Sequence, residues 1–376
     1  MIKIGFDAKR AIQNNTGLGN YSRYIIEILS RFFEDNDYLL YAPKERENVR
    51  LNDLKSSKNV FFRFPVGGWK HFSSFWRTWG ITKWLKKDQI EIYHGLSNEL
   101  PLRINRSGIK TVVSIHDLIF LRYPGYYKPI DRFIYRLKFR YAAKIADKVI
   151  AISECTKRDI ISFFHIPEEK ISVVYQGCHP NFSQKVSSEK KEDIIRKYAL
   201  PSRFLLYVGS IEERKNLLLA VKALKHVHED IHLVAVGKST WYQDEVEKYA
   251  SNNQLSGRLH IYNNVSFEDL PSFYQLANLF IYPSRYEGFG IPIIEALISG
   301  TPTIAAKGSC LEEAGGESSL YVNPDDEKEL AEKINLVLSD AGLASQMSEQ
   351  GKKYSERFSD KVIADNIMDV YKSVLI

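Results

Sequence analysis

Phe280-Ile281-Tyr282-Pro283-Ser284-Arg285-Tyr286-Glu287-Gly288-Phe289-Gly290-Ile291-Pro292-Ile293-Ile294-Glu295 sets two carboxylates, with seven residues between them, around a glycine-rich turn. Residues 280–282 read as the end of a buried strand and 284–290 as a loop. Pro292 reads as the first-turn proline of a helix running to about Ser299. Gly300 then closes that helix, with Pro302 just beyond it. Glu287 is thereby expected on the loop above the strand's carboxyl end, and Glu295 on the first turns of the helix, both facing one crevice. Gly288 and Gly290 leave room for a ligand, and the N–H groups of a helix start attract anions. A polyhydroxyl compound carrying a phosphate fits this pattern. Helix-dipole compensation accounts for Glu295 alone but leaves the second acid and the two glycines unexplained.

Working outward, the same strand-loop-helix unit recurs along the chain. Residues 2–6 read as a strand, Thr16-Gly17-Leu18-Gly19-Asn20 as a glycine loop, and Tyr21, Tyr24, Ile25, Ile28, Leu29 and Phe32 keep helical spacing. Further strands are expected at 39–41, 90–93, 111–115, 148–152 and 171–175, then at 204–208, 232–236, 259–262, 279–282 and 303–306. Strands alternating with helices imply parallel sheets, and 376 residues exceed what one core usually supports. The expected fold is α/β with two doubly wound domains: 1–180, a polar linker at 181–200, a second domain at 201–355, and a last amphipathic helix within 356–376.

The string from Tyr282 to Glu295 resembles the E-x7-E signature of retaining glycosyltransferases of the GT-B fold, in particular family 4, which uses nucleotide sugars. The resemblance implies two Rossmann-like domains facing a central cleft and a last helix that packs back on the first domain. It also implies that Glu287 meets donor-sugar hydroxyls, that the Gly288-Phe289-Gly290 backbone meets sugar and phosphate, and that Glu295 binds the ribose. The stretch Tyr207-Val-Gly209-Ser-Ile-Glu-Glu-Arg214-Lys215-Asn216 follows the first strand of the second domain and is similar to the family's R-K-N phosphate site. Arg214 offers a planar fork and Lys215 a point charge, which suits a diphosphate. Gly209 belongs to the same donor-binding turn.

Gly17 and Gly19 occupy the equivalent turn of the first domain and resemble the glycine loop that approaches the diphosphate. Ser22 stands where the third glycine of a dinucleotide fingerprint would fall, and no acid follows at the ribose-binding distance, which disfavours nicotinamide. Ser114-Ile115-His116-Asp117-Leu118 ends another strand, with His116 expected to donate to a sugar hydroxyl or phosphate beside Asp117. Its His-Asp-Leu form resembles a subset of family 4 enzymes, many of them mannosyltransferases. Tyr93-His94-Gly95 is a weaker candidate for the acceptor side.

The remaining signals are negative or double-edged. Asp35-Asn36-Asp37 spells D-x-D but falls where a turn belongs, and His226, His228 and His232 span a helix end, so no catalytic metal and no cofactor are expected. A net charge of +6 does not call for nucleic acid, and three unpatterned cysteines point to a reduced compartment. The start is too short and charged for a signal peptide and no apolar run spans a bilayer, so a cytoplasmic location is expected. Region 69–87 mixes four tryptophans with four lysines and Arg77 and has no acid. It reads as a helix packed on the first sheet, with a second face suited to anionic lipid at the inner side of the membrane. The expected activity is transfer of a hexose, mannose from GDP-mannose first and a uridine-linked hexose second, to a saccharide or lipid-linked acceptor. A nucleotide-sugar epimerase and a silent sugar-nucleotide-binding module are the alternatives.

Overall fold

A computed structural model describes residues 1–376, which fall into two compact units: Met1–Gln176 with Asp360–Ile376, and Gly177–Ser359. The first carries a seven-stranded parallel sheet: β1 (Lys3–Asp7), β2 (Asp37–Tyr41), β3 (Val60–Arg63), β4 (Ile92–Gly95), β5 (Lys110–Ile115), β6 (Lys148–Ala151) and β7 (Ile171–Val173). Their spatial order is β3-β2-β1-β4-β5-β6-β7. The second unit holds β8 (Phe204–Val208), β9 (His232–Val236), β10 (Leu259–Tyr262), β11 (Leu279–Tyr282), β12 (Thr303–Ala306) and β13 (Leu320–Val322), ordered β10-β9-β8-β11-β12-β13. Strands such as β5 and β12 are nearly continuous buried runs because helices cover both faces of a parallel sheet. Strand order reverses between β1 and β4 and between β8 and β11, where ligands of open sheets collect outside the carboxyl ends.

Several expectations need correction. β3 and β13 were not anticipated: each is a three- or four-residue edge strand, too short to show a period. Residues 16–20 are not a loop, since Thr16 stands at the N-cap position of a helix spanning Gly17–Phe32, its hydroxyl turned to Asn14, and both glycines sit in the first turn. The stretch 181–200 is no linker. It folds into the second unit as the turn Pro180–Ser183 and the helix Ser188–Tyr198, capped by Ser187 and anchored by buried Ile194. Its serines and charges lie on the helix's exposed face, a composition that a linker shares. The first unit accordingly ends at Gln176, not at 180.

The helix Asp360–Leu375 belongs to the first unit and buries Ile363, Ala364, Ile367, Met368, Tyr371 and Val374. Asp360 accepts the Tyr24 hydroxyl at 2.9 Å and pairs with Arg31. Region 69–87 divides by face. Trp76, Ile81 and Leu85 are fully buried in the core, whereas Phe72 and Phe75 are 67% and 57% exposed, and Trp69 and Trp79 also reach solvent. Helix Pro129–Ile145 was not read from the sequence at all. It buries only Ala142 and Ala143 and leaves Ile130, Phe133, Ile134 and Leu137 exposed among arginines and lysines. No helix is long and apolar enough to cross a membrane.

Candidate functional site

In the second unit the chain leaves β11 at Tyr282, turns through 283–290 and enters the helix Ile291–Ser299. That helix has Pro292 in its first turn and Gly300 closing it at φ 78°. The turn after β8 meets this loop directly. The Arg285 N–H donates to the Arg214 carbonyl at 2.9 Å, and the Arg214 guanidinium donates to the Tyr286 carbonyl. Asn216, left-handed at φ 59°, donates to the Pro283 and Pro324 carbonyls at 3.2 and 2.7 Å. Asparagine tolerates that conformation and supplies the two donors the loops need.

Glu287 is the hub of the site. One carboxylate oxygen takes Arg214 at 2.8 Å; the other accepts the Tyr282 and Ser284 hydroxyls at 3.0 and 2.9 Å, with the Lys215 ammonium 3.7 Å away. Lys215 also donates to the Tyr282 hydroxyl at 3.3 Å. Burial pushes the Glu287 carboxyl up, but the charges of Lys215 and Arg214 and the hydrogen bonds outweigh it, and the net direction is down. Burial likewise works against the Arg214 charge, yet Glu287 holds that guanidinium firmly protonated. Two cations are thus fixed side by side at the carboxyl end of β8, with side chains only 14% and 17% exposed.

Glu295 lives in a different electrostatic setting. Its sole hydrogen bond is from the Tyr274 hydroxyl at 2.8 Å, and burial raises the carboxyl to about 7 against the partial opposition of Tyr274 and Lys215. The helix start itself is poorer in free donors than expected. The N–H groups of Ile293 and Ile294 return to the Gly290 carbonyl and Pro292 has none, so positive charge for an anion comes chiefly from Arg214 and Lys215.

The glycines divide by purpose. A side chain at Gly290 would meet the Ala314 Cβ at 2.9 Å, so Gly290 is needed for packing and not only for ligand access. Gly209 lets the Lys215 stem lie within about 3.2 Å of its Cα substituent position, and Gly237, overlooked in the sequence, abuts the Gly209 carbonyl. Phe289 turns inward, edge-on to Phe358. The Cys310 thiol donates to the carbonyls of Glu287 and Phe289 at 3.0 and 3.1 Å and pins the loop from below. Tyr282, Ser284 and Asn216 lie inside the two motifs, but their roles there are not legible in the sequence; Tyr274 and Cys310 carry no signal, because their partners lie more than twenty residues away.

The first-unit candidates fare unevenly. His116 is buried, and its Nε2 faces the Leu96 carbonyl at 2.9 Å, so Nε2 must carry the hydrogen. Burial lowers its pKa to about 4, leaving Nδ1 a neutral acceptor, where a donor had been expected. Asp117 caps the next turn, accepting from the Ile119 N–H at 3.2 Å. His94 is withdrawn as an acceptor-side candidate: both ring nitrogens are committed, to Tyr371 at 2.7 Å and Ser114 at 2.9 Å. Gly19 is required because a side chain there would strike the Asn14 carbonyl at 1.9 Å, whereas Gly17 is open. Asn36 of the D-x-D string accepts the Ile2 N–H within a turn, and His232 contacts His260 on the neighbouring strands.

Comparison with known proteins bears on the family and the fold. Residues 190–354 match the profile of Glycosyl transferases group 1, and residues 17–182 match that of Glycosyltransferase Family 4. An O-antigen chain mannosyltransferase B of Escherichia coli is 28% identical over 378 residues, covering 95% of this chain and 96% of that one. Among solved structures, a glycosyltransferase from Rickettsia africae superposes with a TM-score of 0.78 at 20% identity, covering 100% and 98% of the two chains. Anabaena Alr3699/HepE, solved in complex with UDP and glucose, gives 0.75 at 18% identity over 99% and 100%. With both profiles matched in succession and the fold shared along its whole length, the chain belongs to the family 4-like glycosyltransferases of the GT-B fold.

Proposed function

We propose that this glycosyltransferase moves a hexose from a nucleotide sugar to a saccharide or lipid-linked saccharide in surface polysaccharide synthesis, with retention and without a divalent metal. Mannose from GDP-mannose is the first donor to test. The mannosyltransferase relative and the His116-Asp117-Leu118 resemblance support it. The observation that carries the proposal is the pair Arg214 and Lys215, aligned on Glu287 at the carboxyl end of β8.

Negative charge grows on the leaving diphosphate as the anomeric bond breaks. Two cations already fixed in a partly dry site stabilise that charge with no reorganisation. In this reading Glu287 shares its oxygens with donor hydroxyls, the Glu295 carboxylate accepts from the ribose, and the acceptor hydroxyl loses its proton to the leaving oxygen. Gly17, Gly19, Gly209, Gly288 and the 288–290 backbone line the donor. His116 accepts a hydrogen bond from a sugar hydroxyl at Nδ1, and Asp117 assists. Peripheral contact with an anionic membrane through the exposed face of 69–87 is consistent with its solvent-facing aromatics.

The test is hydrolysis and transfer with a panel of guanosine- and uridine-linked hexoses. GDP-mannose should be consumed fastest, with the anomeric configuration kept in the product. A uridine-linked hexose preferred over it would move the donor assignment, as the UDP and glucose bound to Alr3699/HepE would then favour. Interconversion of free sugar nucleotides without acceptor would point to an epimerase.

A further inference from the structure

A second concentration of positive charge lies in the first unit, in a cavity of about 450 Å³ outside the carboxyl ends of β1 and β2. Lys9 and Arg10 follow β1, Lys44 and Arg46 follow β2, and Ser73 and Ser74 close the third wall; the only acid is Glu45. None of the four cations takes part in an ion pair. Nearby Arg77, by contrast, is fully matched, holding Asp7 at 3.0 and 3.1 Å and Glu99 at 2.8 Å. Lys9 is half-buried, and burial together with the Arg77 and Arg10 charges lowers its pKa against the opposing pull of Glu99 and Asp7, both of which are already engaged by Arg77.

Phe72 and Phe75 flank the two serines in the chain and are exposed, with Phe75 stacked on Trp79 at 6.0 Å. Four cations exceed what one carboxylate requires and suit a diphosphate, and apolar rings beside an anion site suit a hydrocarbon attached to it. We propose that this pocket binds the diphosphate of an acceptor built on a lipid diphosphate, the chain lying against Phe72 and Phe75. It rests on the transferase reading only in calling that ligand the acceptor.

Calorimetric titration of the full-length chain with inorganic pyrophosphate and with geranyl diphosphate tests this. Geranyl diphosphate should bind at least ten times more tightly. Lys9→Gln with Arg46→Gln should weaken both ligands tenfold or more, while Phe72→Ser with Phe75→Ser should erase only the advantage of the prenyl chain. Arg214→Ala with Lys215→Ala should leave geranyl diphosphate binding in place, which separates this pocket from the donor site. Thermal unfolding of each variant establishes that it is folded. Unchanged affinity in the lysine and arginine variant, or equal affinity for the two ligands, overturns the proposal. So does capture by phosphatidylglycerol vesicles that geranyl diphosphate fails to compete. If the binding pattern holds while no nucleotide sugar is hydrolysed, the transferase reading fails and the anion site stands.

Discussion

Both units place basic residues at the carboxyl ends of parallel strands, and they treat that charge in opposite ways. In the second unit Arg214 and Lys215 are gathered by Glu287, shielded and tied through Asn216 to two neighbouring loops. In the first, Lys9, Arg10, Lys44 and Arg46 line an open cavity whose one acid, Glu45, forms an ion pair with none of them. A site that must stabilise charge during a reaction gains from cations fixed beforehand. A site that only needs to capture an anion can leave its cations loose and let the ligand order them, at some entropic cost.

The largest effect that would break this contrast comes from Arg214→Ala with Lys215→Ala. Transfer should fall by roughly a thousandfold or more, since loss of a single preorganised donor to a developing anion already costs about 10²–10³. Near-normal turnover would mean that the paired cations are structural. Stopped assays with GDP-mannose, alongside a melting curve to exclude unfolding, measure this.

The two glutamates sharpen the contrast within the second unit. A glutamate raised from 4.5 to about 7 keeps its proton in the folded chain where the unfolded chain has lost it. The native state therefore binds more protons between those values. The stability that Glu295 contributes is complete below 4.5, falls as pH rises through the window and is gone above about 7. Relative to Glu295→Gln, the native chain should lose up to about 3 kcal/mol between pH 4.5 and 8, less to the extent that water reaches the half-buried carboxyl. Urea unfolding of both proteins across that range reads it directly. Glu287, whose net shift is downward, should produce no such loss over the same window.

Asn216→Ala removes two donors from buried carbonyls and leaves a left-handed residue with a β-carbon, so about 1–3 kcal/mol of stability should go. Asn216→Gly should recover the backbone part and not the hydrogen bonds, and melting temperatures separate the two. The smallest effect concerns metal. Chelator should leave turnover within about twofold, and Asp35→Ala with Asp37→Ala should shift stability by less than about 0.5 kcal/mol, as for a surface turn.

The architecture was readable because buried parallel strands are continuous apolar runs, and the strand from 279 to 282, the proline start and the glycine stop of the next helix are all local signals. Edge strands β3 and β13 were not, being too short for any period. The charged site residues were visible as a motif, but the identity of their partners was not: Glu287 meets Arg214 and Lys215 across more than seventy residues of chain. His116 shows the same limit, since only the carbonyl of Leu96 fixes which nitrogen carries the hydrogen. Helix Pro129–Ile145 carries helical spacing at Ile130, Phe133, Ile134 and Leu137; what that spacing does not show is that this apolar stripe faces outward.

The last helix has a consequence for how the protein is made. Asp360–Leu375 completes the core of the first unit, yet it is synthesised after the whole of the second. Until it emerges, the surface that Ile363, Ile367, Met368 and Tyr371 will cover stays open to solvent, including the His94 nitrogen that Tyr371 later engages. The second unit, by contrast, is a single continuous stretch of chain and can close as soon as it is translated. The first-made half of the protein is therefore the last to finish folding, and during synthesis it is the half most in need of protection from aggregation.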